Sequence, residues 1–539
     1  MRFCKKLTLA IFVGYFLITI FTPNINFPKS TNDRTFRFPN LISSISEDGF
    51  YPMTVGWNFS AYGKFIYNGN IETAGVQPLS VFIYAAVAAI IQKCNGDKIL
   101  FIRSILLLGL VYYFIFLILI RRLIADLYSP PPGIFLFEIA DVLLLSNPFL
   151  FKMFTNGLET GLYFDMILLV MISSLRFTKA QQQSYFNKLS FGLLLGLACL
   201  CRIDFIIPMV TFLGIVMMKQ RGRLKDYAVP IALMAAIVLP WFLWVYHVSG
   251  SLMPSSGRAQ MADLTSTYYH KIDDRCIRMI SVLANHCTLW VANTYLPWAN
   301  AALIILCVVV GLLFLKTRNN KIKMNACHKT TFAIWFFCFL SLAVIYPLLL
   351  KAVFFYSRYT APLLIFVLII ISVRLSIYLQ THSKLRGLLI IFPLHFILMC
   401  LLLLKSPDSL YAVAAGFIKN EFFQDARIGC WQSGTVGFFN DNVINLDGKV
   451  NSETISYLKS KQMDLYLDKK NIQILFDFPL NFNAFSSNSY LRDNWRICEK
   501  TIPEYWCYQR KNRLNSMPRS GVNTSVNGFP PEHSQGDAL

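Results

Sequence analysis

Long apolar runs separated by short basic clusters set the pattern of this chain. Runs of that kind predict membrane-spanning helices, which need about 20 apolar residues each, and basic clusters mark their cytoplasmic ends. The first run, Leu7–Phe21, follows "MRFCKK" and lacks a small-x-small cleavage site before "TPNINFPKS". It is read as an uncleaved first helix with the N-terminus in the cytoplasm. Further spans are expected at Ile99–Ile120, Ile134–Phe151, Gly161–Leu175, Leu189–Ile207, Phe205–Met218 (the boundary lying near Asp204), Ala228–His247, Ala299–Leu315, Thr331–Leu349, Ala361–Leu379 and Leu388–Leu404. Pro78–Gln92 is too short to span, and counting it would turn Arg121-Arg122 outward, so it is expected to lie in the membrane interface. The clusters "RFTKA", "KQRGRLK", "KTRNNKIK" and "SKLR" then all face inward, giving about 11 helices with the C-terminus outside.

The expected organisation is a transmembrane domain over residues 1–404, with a first outer loop at 22–98, then an extracytoplasmic domain at 405–510. In the latter, "ARIGCWQSGTVGFFNDNVINLDGKVN" and "NIQILFDFP" carry short apolar runs punctuated by Gly and Asn, the pattern of a small α/β domain. Residues 511–539, rich in Ser, Asn, Pro and Gly, are expected to be disordered.

Composition agrees with this class. The 539-residue chain is 55% hydrophobic and 15% charged, too apolar for an ordinary soluble protein. Its net charge of +21 is a topology signal rather than a nucleic-acid footprint, because the Lys and Arg residues fall between apolar runs. Most of the 13 cysteines sit in expected spans, where Cys acts as a small apolar residue. Cys498 and Cys507, flanking "EKTIPEYW", have hairpin spacing and could pair in an oxidising compartment. No CxxC, HExxH, Walker-type or GxGxxG motif is present, and the seven His show no metal-ligand spacing.

The polar residues that interrupt the apolar pattern carry the candidate chemistry. Glu47 and Asp48 open "EDGFYPMTVGWNFSAYGKF", in which Phe50, Val55, Phe59 and Tyr62 suggest an amphipathic helix on the outer membrane surface. Ser46, Glu47 and Asp48 equally suit an N-cap and first turn, and the residues alone leave both readings open. Glu159, in "NGLETGLY", is expected at the same face of the membrane. In "CLCRIDF", Arg202 and Asp204 interrupt an apolar stretch near that face, as a structural pair or as cavity lining. The segment "MPSSGRA" sets Arg258 beside Ser256 in a Gly, Ser and Pro loop suited to a phosphate, or to an ordinary turn. Lys351 and Arg358, in "LLLKAVFFYSRYTAP", place positive charge on the outer face, where it calls for an anionic partner such as a lipid-linked phosphate or membrane headgroups.

Taken in order, "YNGNIETAGVQPLS", "NGLETGLY", "GLLLGLACLCRIDF", "MPSSGRA", "YSRYTAP" and "INLDGKVN" resemble the GT-C superfamily of membrane glycosyltransferases, which use polyprenyl-phosphate sugars. The similarity runs from about residue 45 to about residue 480, and Glu47-Asp48 matches the acidic pair with which members open their first outer loop. The resemblance implies an α-helical polytopic membrane protein with a small extracytoplasmic α/β domain, and the Lys/Arg asymmetry with no obvious eukaryotic retention signal suggests a bacterial inner membrane, among its lipids. The resemblance also implies an inverting transfer of a sugar from a polyprenyl-phosphate donor to a glycan, lipid or protein acceptor. Asp48 would then be the general base, with Glu47 as its neighbour or substitute, and Arg258, Arg358, Lys351 and Arg202 candidate phosphate cations. Some members set a divalent cation against the phosphate; Glu159 and Asp204 are candidate ligands, and no cofactor is certain. Asp447, in "NLDGKVN", is expected as a turn residue or as part of the acceptor cleft.

Two other classes fit buried charge among many helices. A transporter or flippase of lipid-linked sugars would show inverted repeats, and no internal duplication is visible. An inactive relative would bind the lipid-linked sugar without transferring it.

Overall fold

The computed structural model describes residues 2–21, 45–68, 71–128, 136–179, 184–219, 224–262, 271–287, 324–351, 353–390, 393–394, 397, 410–419, 426–479, 481–482, 490–499, 502 and 505–511. The expected span Ala299–Leu315, most of Leu388–Leu404 and the tail beyond residue 511 lie outside them.

Five described helices are long and apolar enough to cross a membrane: Lys98–Leu127, Thr160–Thr178, Lys225–Ser249, His328–Leu349 and Pro362–Gln380. Helical spacing explains how they divide their surfaces. Along Lys98–Leu127, Leu107, Val111, Ile115 and Ile118 recur every three or four residues and are exposed, whereas Phe101, Ile105, Tyr113, Phe116 and Ile120 are buried. The first helix, Arg2–Phe21, stacks Phe12 on Tyr113 with ring centroids 4.4 Å apart. Arg121 closes on the buried Asp141 of Leu136–Leu145, Nε to Oδ1 at 2.8 Å.

Three expectations need correction. Ile134–Phe151 is not continuous: helix Leu136–Leu145 stops and a second, Pro148–Thr155, begins. Pro148 has no N–H to continue the ladder, and Asn147 Oδ1 caps the new start by accepting from Phe149 N at 3.0 Å and Leu150 N at 3.1 Å. The overlapping pair near Asp204 resolves into Tyr185–Cys201, a single 3-10 turn at Ile203–Phe205, and Ile206–Lys219. Helix Phe50–Tyr62 is not amphipathic along its whole length, since every residue from Phe50 to Gly56 is buried while Ala61 and Tyr62 are exposed. It packs against Pro78–Lys93, which at 16 residues is shorter than a span.

The C-terminal unit is a five-stranded sheet in the order β2-β1-β3-β5-β4, with β1 at Ile428–Cys430, β2 at Val443–Asn445, β3 at Ile474–Asp477, β4 at Trp495–Ile497 and β5 at Trp506–Arg510. The first three strands are parallel and β5 runs antiparallel to β3 and β4. Helix Gly434–Phe439 connects β1 to β2. A disulfide joins Cys498 to Cys507.

The sheet unit is fastened to the helical bundle through the first loop. Tyr67 donates to the Ser433 carbonyl at 2.7 Å, Asn68 to the Gly437 carbonyl at 2.7 Å, and Lys98 Nζ to the Phe438 carbonyl at 2.7 Å. Phe438 itself packs on Phe50, ring centroids 5.2 Å apart.

Candidate active site

Bends in the chain bring the site residues to the end of the bundle that carries the sheet. Ser46 starts a 3-10 turn over Glu47–Gly49, its Oγ accepting from Gly49 N at 3.1 Å, so the N-cap reading of this stretch is correct. The turn is tied to the loop before Glu159, Ser46 N donating to the Asn156 carbonyl at 3.0 Å. It also sets the two carboxylates in different surroundings.

Asp48 holds two cations. Its Oδ2 lies 3.3 Å from Arg358 Nη1 and its Oδ1 3.2 Å from Lys449 Nζ. Burial alone raises a carboxyl pKa, but here Lys449 and then Arg358 outweigh it and hold Asp48 below the usual range. Glu47 turns to the sheet unit instead. Its Oε2 accepts from Thr435 N at 3.0 Å and from the Thr435 hydroxyl, while Oε1 is buried without a hydrogen-bond partner among the described residues. Burial dominates there, and with the negative Asp48 alongside it pushes Glu47 up to about 8 despite the Thr435 bonds. At neutral pH one member of the pair is therefore ionised and the other mostly protonated.

Both contacts come from beyond the carboxyl ends of parallel strands, Thr435 at the start of helix Gly434–Phe439 after β1 and Lys449 in the loop after β2, the edge at which open α/β sheets present their functional groups. The loop after β1 is fixed by Asp477 at the end of β3, which accepts from Trp431 N at 2.6 Å and Gln432 N at 2.8 Å. The loop after β2 turns at Gly448, whose φ of 84° favours glycine. Asp447 Oδ1 accepts from Lys449 N at 2.8 Å, the turn role expected of it, and its Oδ2 also faces Lys449 Nζ at 3.4 Å. Two residues of the bundle side seat this loop. Ser255 Oγ donates to the Lys449 carbonyl at 2.8 Å, and Gly75 passes so close that a Cβ there would sit 1.7 Å from the same oxygen.

A second cluster adjoins the first. Arg202, only 3% exposed, grips Asp204 through Nε to Oδ1 at 3.0 Å and Nη2 to Oδ2 at 2.5 Å, and its Nη1 lies 3.6 Å from Glu159 Oε1. The Tyr346 hydroxyl also donates to Asp204. The clusters meet at Tyr359, whose ring stands 4.7 Å from the Arg202 guanidinium carbon and 5.3 Å from that of Arg358. Tyr359 is anchored by its hydroxyl, which donates to Gln260 Oε1 at 2.8 Å.

Glu47, Asp48, Glu159, Arg202, Asp204 and Arg358 thus gather in one region. Ser256, Arg258 and Lys351 do not join their ion-pair network. "MPSSGRA" is not an open loop, because Ser255–Ala262 is helical. Arg258 Nη1 is engaged with the Ser249 carbonyl at 2.9 Å, and the hydroxyl that reaches the site loop belongs to Ser255 rather than Ser256. The Lys351 carbonyl accepts from Val353 N at 2.9 Å in a turn, and its ammonium has no ion pair among the described residues. The sequence reading passed over Lys449 and Thr435; the motifs "NLDGKVN" and "SGTVG" held them, without a signal of what they touch.

No protein-family model and no curated sequence matches the chain. Solved structures do. The crystal structure of ArnT from Cupriavidus metallidurans bound to undecaprenyl phosphate matches with a TM-score of 0.55 at 12% identity, covering 95% of this chain and 99% of that one. The apo-state structure of the same protein matches with a TM-score of 0.54 at 11% identity, covering 93% and 97%. With its apolar helices, its sheet unit at the C-terminal end and this correspondence over nearly the full length, the chain has the ArnT-like GT-C fold.

Proposed function

We propose that this chain is an inverting glycosyltransferase that moves a sugar from a polyprenyl-phosphate donor to a hydroxyl of an extracytoplasmic glycan, lipid or protein. The observation that carries the reading is the meeting of an acidic pair with Arg358 at the sheet-bearing end of the bundle. The fold supports the donor class, since one of the matching ArnT structures was solved with undecaprenyl phosphate bound. By this reading the chain lies in a bacterial inner membrane, with its N-terminus cytoplasmic and its sheet unit outside.

In the reaction, the acceptor oxygen attacks the anomeric carbon from the face opposite the phosphate. The carbon–oxygen bond to the phosphate breaks, its electron pair leaves with the lipid phosphate, and the acceptor proton passes to Asp48. A hydroxyl is a poor nucleophile, so the carboxylate at hydrogen-bond reach is required as general base. The charge growing on the phosphate needs a fixed cation, and Arg358 is placed to supply it. Arg202, bound to Asp204 and Glu159, holds Tyr359 and through it orients Arg358.

A divalent cation fits this site poorly. Glu159 and Asp204, the carboxylates the sequence offers as ligands, are both drawn to Arg202, and among the described residues no group of three or more His, Cys, Asp or Glu could hold a metal. No step is assigned to one.

The test supplies membranes carrying the protein with radiolabelled polyprenyl-phosphate sugars and follows the label. Transfer to an acceptor that disappears in Asp48→Asn, at unchanged protein level, supports the assignment. Equal transfer by Asp48→Asn removes Asp48 as the base. Movement of intact donor across the bilayer without transfer points to a flippase.

A further inference from the structure

Arg358 and Lys449 converge on one carboxylate, and each occupies a different oxygen of Asp48. Such a carboxylate is a weak base, because each bound cation favours its ionised form. Neither ion pair is sealed from solvent. Asp48, Arg358 and Lys449 keep 17%, 16% and 17% of their side-chain surfaces exposed, and Arg358 Nε has no hydrogen-bond partner among the described residues. Lys449 has Asp447 as a second anchor at 3.4 Å, so it can release Asp48 without being left unpaired. A guanidinium and an ammonium spaced to meet the two oxygens of one carboxylate are also suited to two oxygens of one phosphate.

We propose that Lys449 is a donor-phosphate ligand supplied by the sheet unit, and that Asp48 occupies the place of that phosphate until the donor arrives. The donor's phosphate draws Lys449 and Arg358 away from Asp48 and thereby frees the base at the moment it is needed. A hydroxyl reaching the site without a donor meets a carboxylate already engaged. This rests on the polyprenyl-phosphate reading above and adds to it a competition between an internal and an external anion. Ser255 and Gly75 are positioning residues here, because they hold the Lys449 backbone over Asp48.

The competition is tested by binding alone. Sugar-free polyprenyl phosphate is titrated into the full-length protein in detergent, with unphosphorylated polyprenol as the control for the tail. Removing the internal anion in Asp48→Asn is expected to tighten binding, and removing the cation in Lys449→Met to weaken it, each on the order of tenfold, while Lys449→Arg stays close to wild type. Lys449→Met binding equal to wild type overturns the ligand assignment, and Asp48→Asn binding equal or weaker overturns the competition. Should Lys449→Met fail to fold, the decision rests on Asp48→Asn and Lys449→Arg, and loss of binding in Lys449→Arg also overturns the proposal. A wild type that does not prefer the phosphate over the polyprenol overturns the donor reading itself, an outcome distinct from the others.

Discussion

Replacing Glu47 by Gln tests the central electrostatic feature of the site, a carboxyl kept protonated beside an ionised one. The buried surroundings move Glu47 from an ordinary 4.5 to about 8. Below the lower value both folded and unfolded chains hold the proton. Between the two the unfolded chain releases it while the folded chain keeps it, so folding is favoured less and less as pH rises; above about 8 the loss levels off. At about 1.4 kcal/mol per unit, the whole interval is worth at most about 5 kcal/mol, a ceiling because the Glu47 side chain keeps partial contact with solvent. Gln has the shape of the protonated acid and no proton to lose. Glu47→Gln should therefore match wild type near pH 5 and gain on it by up to about 1.4 kcal/mol per pH unit until about pH 8. Denaturant unfolding of both proteins in detergent, followed by Trp fluorescence across that range, measures the difference and cancels every other titrating group. A difference that stays flat, or one that shrinks as pH rises, would refute the assignment of a protonated Glu47. Infrared spectra offer a second reading, since the protonated-carboxyl band present at neutral pH should be weaker in Glu47→Gln.

Other substitutions probe the surrounding parts. Gly75→Ala places a methyl group within 1.7 Å of the Lys449 carbonyl, so the loop must move; transfer should fall on the order of tenfold or more with the helices intact, and unchanged transfer would show that the loop's position does not matter. Arg202→Lys keeps the charge but loses the two-point grip on Asp204, and should lower stability by about 1.5–3 kcal/mol, read as an earlier unfolding midpoint; an unaltered midpoint would argue against the paired geometry. Asp165, in the span Thr160–Thr178, is 2% exposed with neither carboxyl oxygen hydrogen-bonded among the described residues. Asp165→Leu should stabilise the fold by about 1–3 kcal/mol, and a lowered midpoint would mean that this carboxyl has an essential partner.

The sequence by itself determined the helical membrane class and the spans that the described helices Lys98–Leu127, Thr160–Thr178, Lys225–Ser249, His328–Leu349 and Pro362–Gln380 match. These follow from local quantities, since an apolar run of given length and a basic cluster beside it mean the same thing wherever they occur. The overlap near Asp204 was visible as crowding, and Pro148 marked a break that the reading of Ile134–Phe151 passed over. Tertiary structure alone decided which charges meet. Asp48 and Lys449 stand 401 positions apart and Glu47 and Thr435 stand 388 apart. No periodicity spans such distances, because those contacts are set by the way the sheet's strand-end loops settle onto the bundle. The same packing directed Arg258 to Ser249, brought Ser255 rather than Ser256 to the site loop, and made two adjacent carboxyls chemically different. A residue's type is written in the chain, but its charge state depends on burial and neighbours, and those exist only once the chain has folded.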